Sequence, residues 1–245
     1  MLVKIFIEYL KYELTKNIFK HILTISKMII YFLEDGDYVL LDYLVKNYEK
    51  GEPIFLADIS IEGMSEDNIR YHLKKLTDAG VICRFEAGIY YLPKKNIFGE
   101  NSVISAETVA THKYILRQGK RVGFYSGYTL ANRLGLSTQM PFKEEIISNY
   151  APALVREVSI KNRKYVIRKP VVEVTEENAY VLQFLDCLKD IDKSAEEDMK
   201  VCGEILTQFA IEHSITKNQV DRLLCYYPLK VYKAIYETEV KYVSA

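Results

Sequence analysis

The sequence predicts an α+β protein, and three observations carry that expectation. Residues 65–93 pass from apolar positions at helical spacing into two β-prone runs joined by a glycine turn. Residues 156–169 alternate apolar and basic positions with a period of two, and residues 176–240 return to helical spacing behind capping signals at Thr175 and Thr216. Taken in order, the 245 residues divide into a helical N-terminal extension (1–35), a helix-and-hairpin domain (36–95), a mixed α/β domain (96–175) and a helical C-terminal region (176–245).

Composition narrows the class. With 49% hydrophobic and 27% charged residues the chain can build ordinary globular cores. Cys83, Cys187, Cys202 and Cys225 form no CxxC pair, so neither a zinc site nor a disulfide framework is signalled, and they read as buried apolar residues in a reducing cytoplasm. The apolar run from Ile22 to Leu33 is interrupted by Lys27 and falls short of the roughly 20 residues that span a bilayer, so no membrane anchor or cleavable signal is expected.

Residues 1–35 alternate apolar positions with Lys4, Glu8, Lys11, Glu13, Lys16 and Lys20, which suits an amphipathic helix; Met28 offers an alternative translation start. Asp37 is expected to cap a helix holding Val39, Leu40, Tyr43, Leu44 and Tyr48, which ends near Gly51. Pro53 to Phe55 follows as a short strand, and Leu56 to Ile59 as a brief second helix. Ser65 caps the next helix, in which Ile69, Leu73 and Leu76 fall on one face and which Gly80 ends. Val81 to Phe85 and Ile89 to Leu92 then make a hairpin about Glu86-Ala87-Gly88.

At 100° per residue, Asp67, Tyr71, Lys74 and Asp78 lie opposite the apolar stripe, with Asn68, Arg70 and Lys75 on its flanks. The pattern NIRYHLKKLTDAGVI followed by a hairpin resembles the recognition helix and wing of prokaryotic winged helix-turn-helix regulators. The resemblance implies that this helix enters the major groove of double-stranded DNA. Ser65, Asp67, Asn68, Arg70 and Tyr71 would then approach bases, while Lys74, Lys75 and Arg84 would meet the DNA as cations.

Lys94 to Gly99 is a polar link ending in a helix breaker. Beyond it Ser105 caps a helix expected to reach Gln118, Arg121 to Tyr125 forms a strand, and Ser126 or Thr129 starts a helix that Gly135 ends. The line GFYSGYTLANRLGLSTQMP (123–141) resembles the middle domain of AbiEi-type antitoxins, regulators of type IV toxin–antitoxin (abortive-infection) modules. Matching elements are Gly123, Tyr125, Ser126-Gly127, Ala131-Asn132, Leu134-Gly135-Leu136, Thr138-Gln139, Pro141 and Ile147-Ser148-Asn149, and Leu223 to Ile235 also looks like that family. The resemblance implies a repressor of its own operon, functionally paired with a nucleotidyltransferase-like toxin, with direct contact between the two left open.

Charge is unevenly divided. Residues 36–95 carry eight basic and ten acidic side chains, residues 96–175 twelve and six, and residues 176–245 eight and thirteen. The reader helix thus lies in a slightly acidic segment, and the phosphate-attracting charge is expected on Arg117, Lys120, Arg121, Lys161, Arg163, Lys164 and Arg168 of the middle domain. A solvated sheet face accounts for the same basic residues equally well. The acidic C-terminal region is expected to hold helices over 176–188, from the 190–198 segment to His213, after the Thr216/Gln219 capping box, and over 228–240.

No Walker loop, GxGxxG or HExxH motif occurs, the four histidines are scattered, and no cofactor is expected. A metal-dependent nuclease using Glu157 with Lys161 or Lys164 beside Glu173 is a weaker alternative to non-enzymatic DNA binding. A winged helix that serves protein contact without reading DNA is the other, favoured by the acidic balance of 36–95.

Overall fold

In a computed structural model of the chain, residues 35–95 and 99–243 are described. The helix expected over 1–35 lies outside them except for Asp35, and the 94–99 link is described only at its ends. The protein is of the α+β class, and it divides into two compact units, Met1–Ile104 and Ser105–Ala245.

Among the described residues the first unit opens with α1 (Asp35–Asn47), in which Asp37, expected as the cap, is a first-turn residue. Strand β1 (Pro53–Phe55) leads into a single 3-10 turn, Leu56–Asp58, where the brief second helix is expected. Helix α2 (Glu66–Asp78) follows, with the Ser65 hydroxyl accepting from Asn68 N–H at 3.3 Å, and the chain then turns through Gly80, whose φ of 70° suits a residue without a Cβ. Strands β2 (Cys83–Glu86) and β3 (Ile89–Tyr91) form the hairpin, with a register shift between Arg84 and Glu86. The sheet order is β1-β3-β2, all antiparallel.

Leu40 and Leu44 of α1, Ile54 and Leu56, Ile69, Leu73 and Leu76 of α2, and Ile82 and Tyr90 close one core. Each such side chain, removed from water, stabilises the unit by about 1.5–3 kcal/mol, so the apolar stripe of α2 fixes which of its faces stays outside. Helices α1 and α2 approach so closely that a Cβ at Gly36 would overlap the His72 ring.

The second unit opens with α3 (Ala106–Tyr114), capped by Ser105, whose hydroxyl accepts from Thr108 N–H at 3.0 Å. It ends four residues short of Gln118, because Leu116–Arg117 (β4) and Lys120–Arg121 (β5) pair as a small hairpin about Gln118-Gly119, both at positive φ. β6 (Gly123–Tyr125), α4 (Gly127–Leu134), β7 (Lys143–Ser148), β8 (Val155–Ile160) and β9 (Arg163–Arg168) follow. The four-stranded sheet has the order β6-β7-β9-β8, with β7 and β9 parallel and the other pairs antiparallel.

Four helices complete the unit: α5 (Ala179–Ser194), α6 (Met199–Glu212), α7 (Lys217–Leu224) and α8 (Leu229–Thr238). Helix α5 starts three residues beyond the expected Glu176, because the Asn178 side chain accepts from Thr175 N–H and holds that segment as a turn; it then runs on through a kink at Asp190. Phe124, Leu130, Ala131 and Ile147 share one core with Leu182, Leu185 and Leu188 of α5, Leu206 and Phe209 of α6, and Val231 and Ala234 of α8. Residues 105–175 and 176–243 therefore have a common interior, with no separation of cores at 175. A buried polar staple crosses it: the Ser126 hydroxyl donates to Asp186, whose other oxygen accepts from Lys189.

Candidate nucleic-acid interface

Helix α2 sorts its residues cleanly. Ile69, His72, Leu73 and Leu76 are buried, whereas Asp67, Asn68, Arg70, Tyr71, Lys74 and Asp78 are exposed. Since residues three and four apart share a face, Asp67, Arg70, Tyr71 and Lys74 form a continuous outer surface that starts in the first turn, where a groove-entering helix presents its contacts. Ser65 is spent on the cap and so acts by fixing where that surface begins. Arg70 is held by Glu66 one turn back, an exposed pair that competing phosphate or base acceptors can open at little cost.

Lys75 differs from the expectation. Its Nζ lies 3.0 Å from Oδ2 of Asp37, which is fully buried, while Oδ1 of the same carboxylate faces His72 Nδ1 at 2.7 Å. The same Nζ lies 5.5 Å from the Tyr71 ring centroid. A buried carboxylate is costly unless paired, so the Lys75 ammonium is engaged by the α1–α2 contact. Lys74, one residue earlier, keeps the exposure a phosphate contact needs.

In the hairpin, Arg84 is exposed and its Nε donates to the Glu86 carbonyl at 3.3 Å, which folds the guanidinium along the strand beside the register shift. The wing tip, Ala87-Gly88, has no charged side chain. Tyr91 at the other end of β3 is buried, and that burial, with a contribution from Cys83, pushes its hydroxyl up to about 12, so it stays protonated.

The seven basic residues expected to flank DNA do not make one cationic surface. Arg163 Nη1 is 2.7 Å from Glu144, and Arg168 Nη2 is 2.8 Å from Glu145. Arg121 donates to Tyr180 Oη at 2.9 Å and lies over that ring, and its backbone N–H is taken by Glu176. Arg117 stacks over Tyr150 at 4.4 Å. Lys120, at the start of β5, and Lys161, in the β8–β9 turn, are exposed, and Lys164 Nζ sits 5.5 Å over the Phe142 ring. Strand alternation also directs Arg163 to the opposite face of the sheet from Lys164 and Arg168, and only at the first two positions of β9, at the end of the sheet, do Arg163 and Lys164 border the same cleft. The charge that the sequence counts as excess is thus partly neutralised in place. Glu157, the carboxylate of the nuclease alternative, is held by Lys143 below the usual carboxylate range.

One arrangement escaped the sequence. Arg133 Nη2 lies 2.6 Å from Glu107 and 3.8 Å from Glu144, and Arg163 Nη1 lies 2.7 Å from Glu144 and 3.8 Å from Glu107, so two guanidiniums and two carboxylates close a ring. Arg133 is further fixed by the Tyr125 ring, 3.7 Å from its Cζ. No spacing rule joins residues on α3, α4, β7 and β9, so no local signal could have found it.

Set against known proteins, residues 41–213 match a family model described as a family of unknown function, DUF6088. No curated protein matches the chain. Among the described residues, no helix is long and apolar enough to cross a membrane.

Proposed function

We propose that this chain, which belongs to the DUF6088 family of unknown function, is a DNA-binding regulator that reads a duplex site with α2. The observation that supports the reading most directly is the outer face of that helix. Asp67, Asn68, Arg70, Tyr71 and Lys74 are exposed together, on a helix anchored by a three-residue buried polar contact to α1 and followed at once by a β-hairpin. A rigid helix with a polar, hydrogen-bonding face and an adjoining hairpin is what major-groove readout requires. The finer reading, drawn from the resemblance of residues 123–141 and 223–235 to AbiEi-type antitoxins, is an autorepressor that counteracts a nucleotidyltransferase-like toxin from the cytoplasm.

Selection of bound sites from random duplexes tests the proposal. An enriched motif is expected, with Asn68→Ala and Arg70→Ala each losing about 1–3 kcal/mol on it and little on random DNA. Equal loss on cognate and random DNA would remove the base-reading role. Absence of any enriched motif would leave α2 as a protein-contact surface, the reading favoured by the net acidic segment around it.

A further inference from the structure

We propose that the second unit carries a binding site for a mononucleotide, in the cleft between the Glu107–Arg133–Glu144–Arg163 ring and the apolar lip Met140–Pro141–Phe142. The cleft holds about 640 Å³, within the range of small-molecule sites. Its floor is built in advance: each guanidinium faces both carboxylates, and Arg133 is pinned against Tyr125. A site ordered before its ligand arrives loses less freedom on binding.

Three features choose the ligand. First, the cleft's charged side chains are Arg133, Arg163 and Lys164 against Glu107 and Glu144, three cations to two acids, which favours a ligand of net negative charge over a zwitterion such as a free amino acid. A guanidinium has five N–H donors, so Arg133 and Arg163 keep donors for a phosphate beyond those turned to the carboxylates. Second, Met140 and Phe142 line the cleft and are 86% and 82% exposed, two large apolar side chains available to pack on a planar ring beside the Lys164 ammonium. Third, Glu107 and Glu144 accept hydrogen bonds, which suits the hydroxyls and exocyclic amines of a nucleoside. Phosphate, planar ring and donor groups together describe a nucleotide, and the site would make the chain responsive to one. The inference stands apart from the DNA-reading role of α2.

Equilibrium dialysis of the full chain with labelled AMP, GMP, CMP and UMP, without DNA, tests it. Saturable binding of at least one nucleotide with Kd below about 1 mM is expected. Phe142→Ala and Lys164→Ala, both at exposed positions, should each weaken it roughly 10-fold while leaving the melting temperature unchanged, and Asn68→Ala should not change it. Inorganic phosphate and the matching nucleoside should each bind at least roughly 10-fold more weakly than the nucleotide that joins them. The proposal is overturned by no saturable binding of any of the four, by binding indifferent to both substitutions, by binding of tyrosine or phenylalanine instead, or by binding of single-stranded oligonucleotides alone.

Discussion

His72 Nδ1 and Asp37 Oδ1 meet at 2.7 Å across the α1–α2 contact, and the carboxylate they share with Lys75 is fully buried. The outer face of α2 therefore depends on a residue in the preceding helix that never reaches solvent. Asp37→Ala should cost about 2–4 kcal/mol in urea denaturation, because it leaves the buried His72 ring and the partly buried Lys75 ammonium without their shared acceptor. Lys75→Ala should also destabilise, and its DNA affinity should fall only as far as its folded fraction does. Lys74→Ala, by contrast, should stay within about 0.5 kcal/mol of the parent in stability and weaken all duplexes alike. A Lys75→Ala protein of full stability that loses affinity uniformly would return that lysine to the phosphate backbone.

The paired state of the basic strands changes what salt should do. Each phosphate contact contributes about −0.9 to the slope of log K against log salt, which for three independent cations at 161, 163 and 164 implies a change of about 2–3 units on their removal. Arg163 already faces Glu144 and Glu107, so replacing Lys161, Arg163 and Lys164 together by alanine should flatten the slope by about 1.8 units, the share of the two lysines, and not by the roughly 2.7 units of three independent cations. A change of the full size would show that the ion pairs open on DNA.

His213 gives the chain an acid-side dependence. Its ring stacks on Tyr180 at 3.6 Å and meets Phe209 edge-on, and partial burial, aided by Arg121 and opposed by Glu212, lowers its pKa below the ordinary value near 6.5. The unfolded chain thus takes up the proton first. The stability associated with the neutral ring is complete above about pH 6.5 and declines as pH falls toward the folded-state pKa. His213→Phe keeps a ring in the stack and removes the titration, so its stability relative to the parent should rise as pH drops below about 6.5. Parallel pH profiles for the two proteins would exclude the histidine as the source.

Thiol labelling should separate the cysteines that the sequence treats alike. Cys225 is exposed and Cys83 is half-buried, whereas Cys187 and Cys202 are buried and their thiols are pushed upward, chiefly by desolvation. Iodoacetamide at neutral pH should modify Cys225 first and Cys83 more slowly, leaving Cys187 and Cys202 unmodified until denaturant is added. Early modification of Cys187 under native conditions would mean that the core opens there.

Local signals carried most of the fold. Ser65, Ser105 and the Thr216/Gln219 box each announce a helix within four residues of themselves, and all three cap as expected. Partners distant in the chain stayed hidden. Asp37 has the local signature of a cap, but its acceptors are used 35 and 38 residues away, by His72 and Lys75. Arg163 counts as free charge until Glu144 is folded against it. The outer face of α2 was legible because one helix supplies it; the charge ring was not, because four separate elements do.

The common interior of residues 105–243 sets which parts of the chain can be exchanged between proteins. Phe124 on β6 and Leu130 on α4 belong to elements that pack on α5, which packs in turn on α6, α7 and α8, and at Gly203 the backbone of α6 meets the Thr238 carbonyl so closely that alanine could not replace it without a shift. Removing the last two helices would uncover the apolar surface of α5 around Leu182 and invite association. A recombination event that joins a different N-terminal unit to this protein can succeed at the boundary near residue 104. One that cuts at 175 would inherit half an interior, so 105–243 should pass between chains only as a whole.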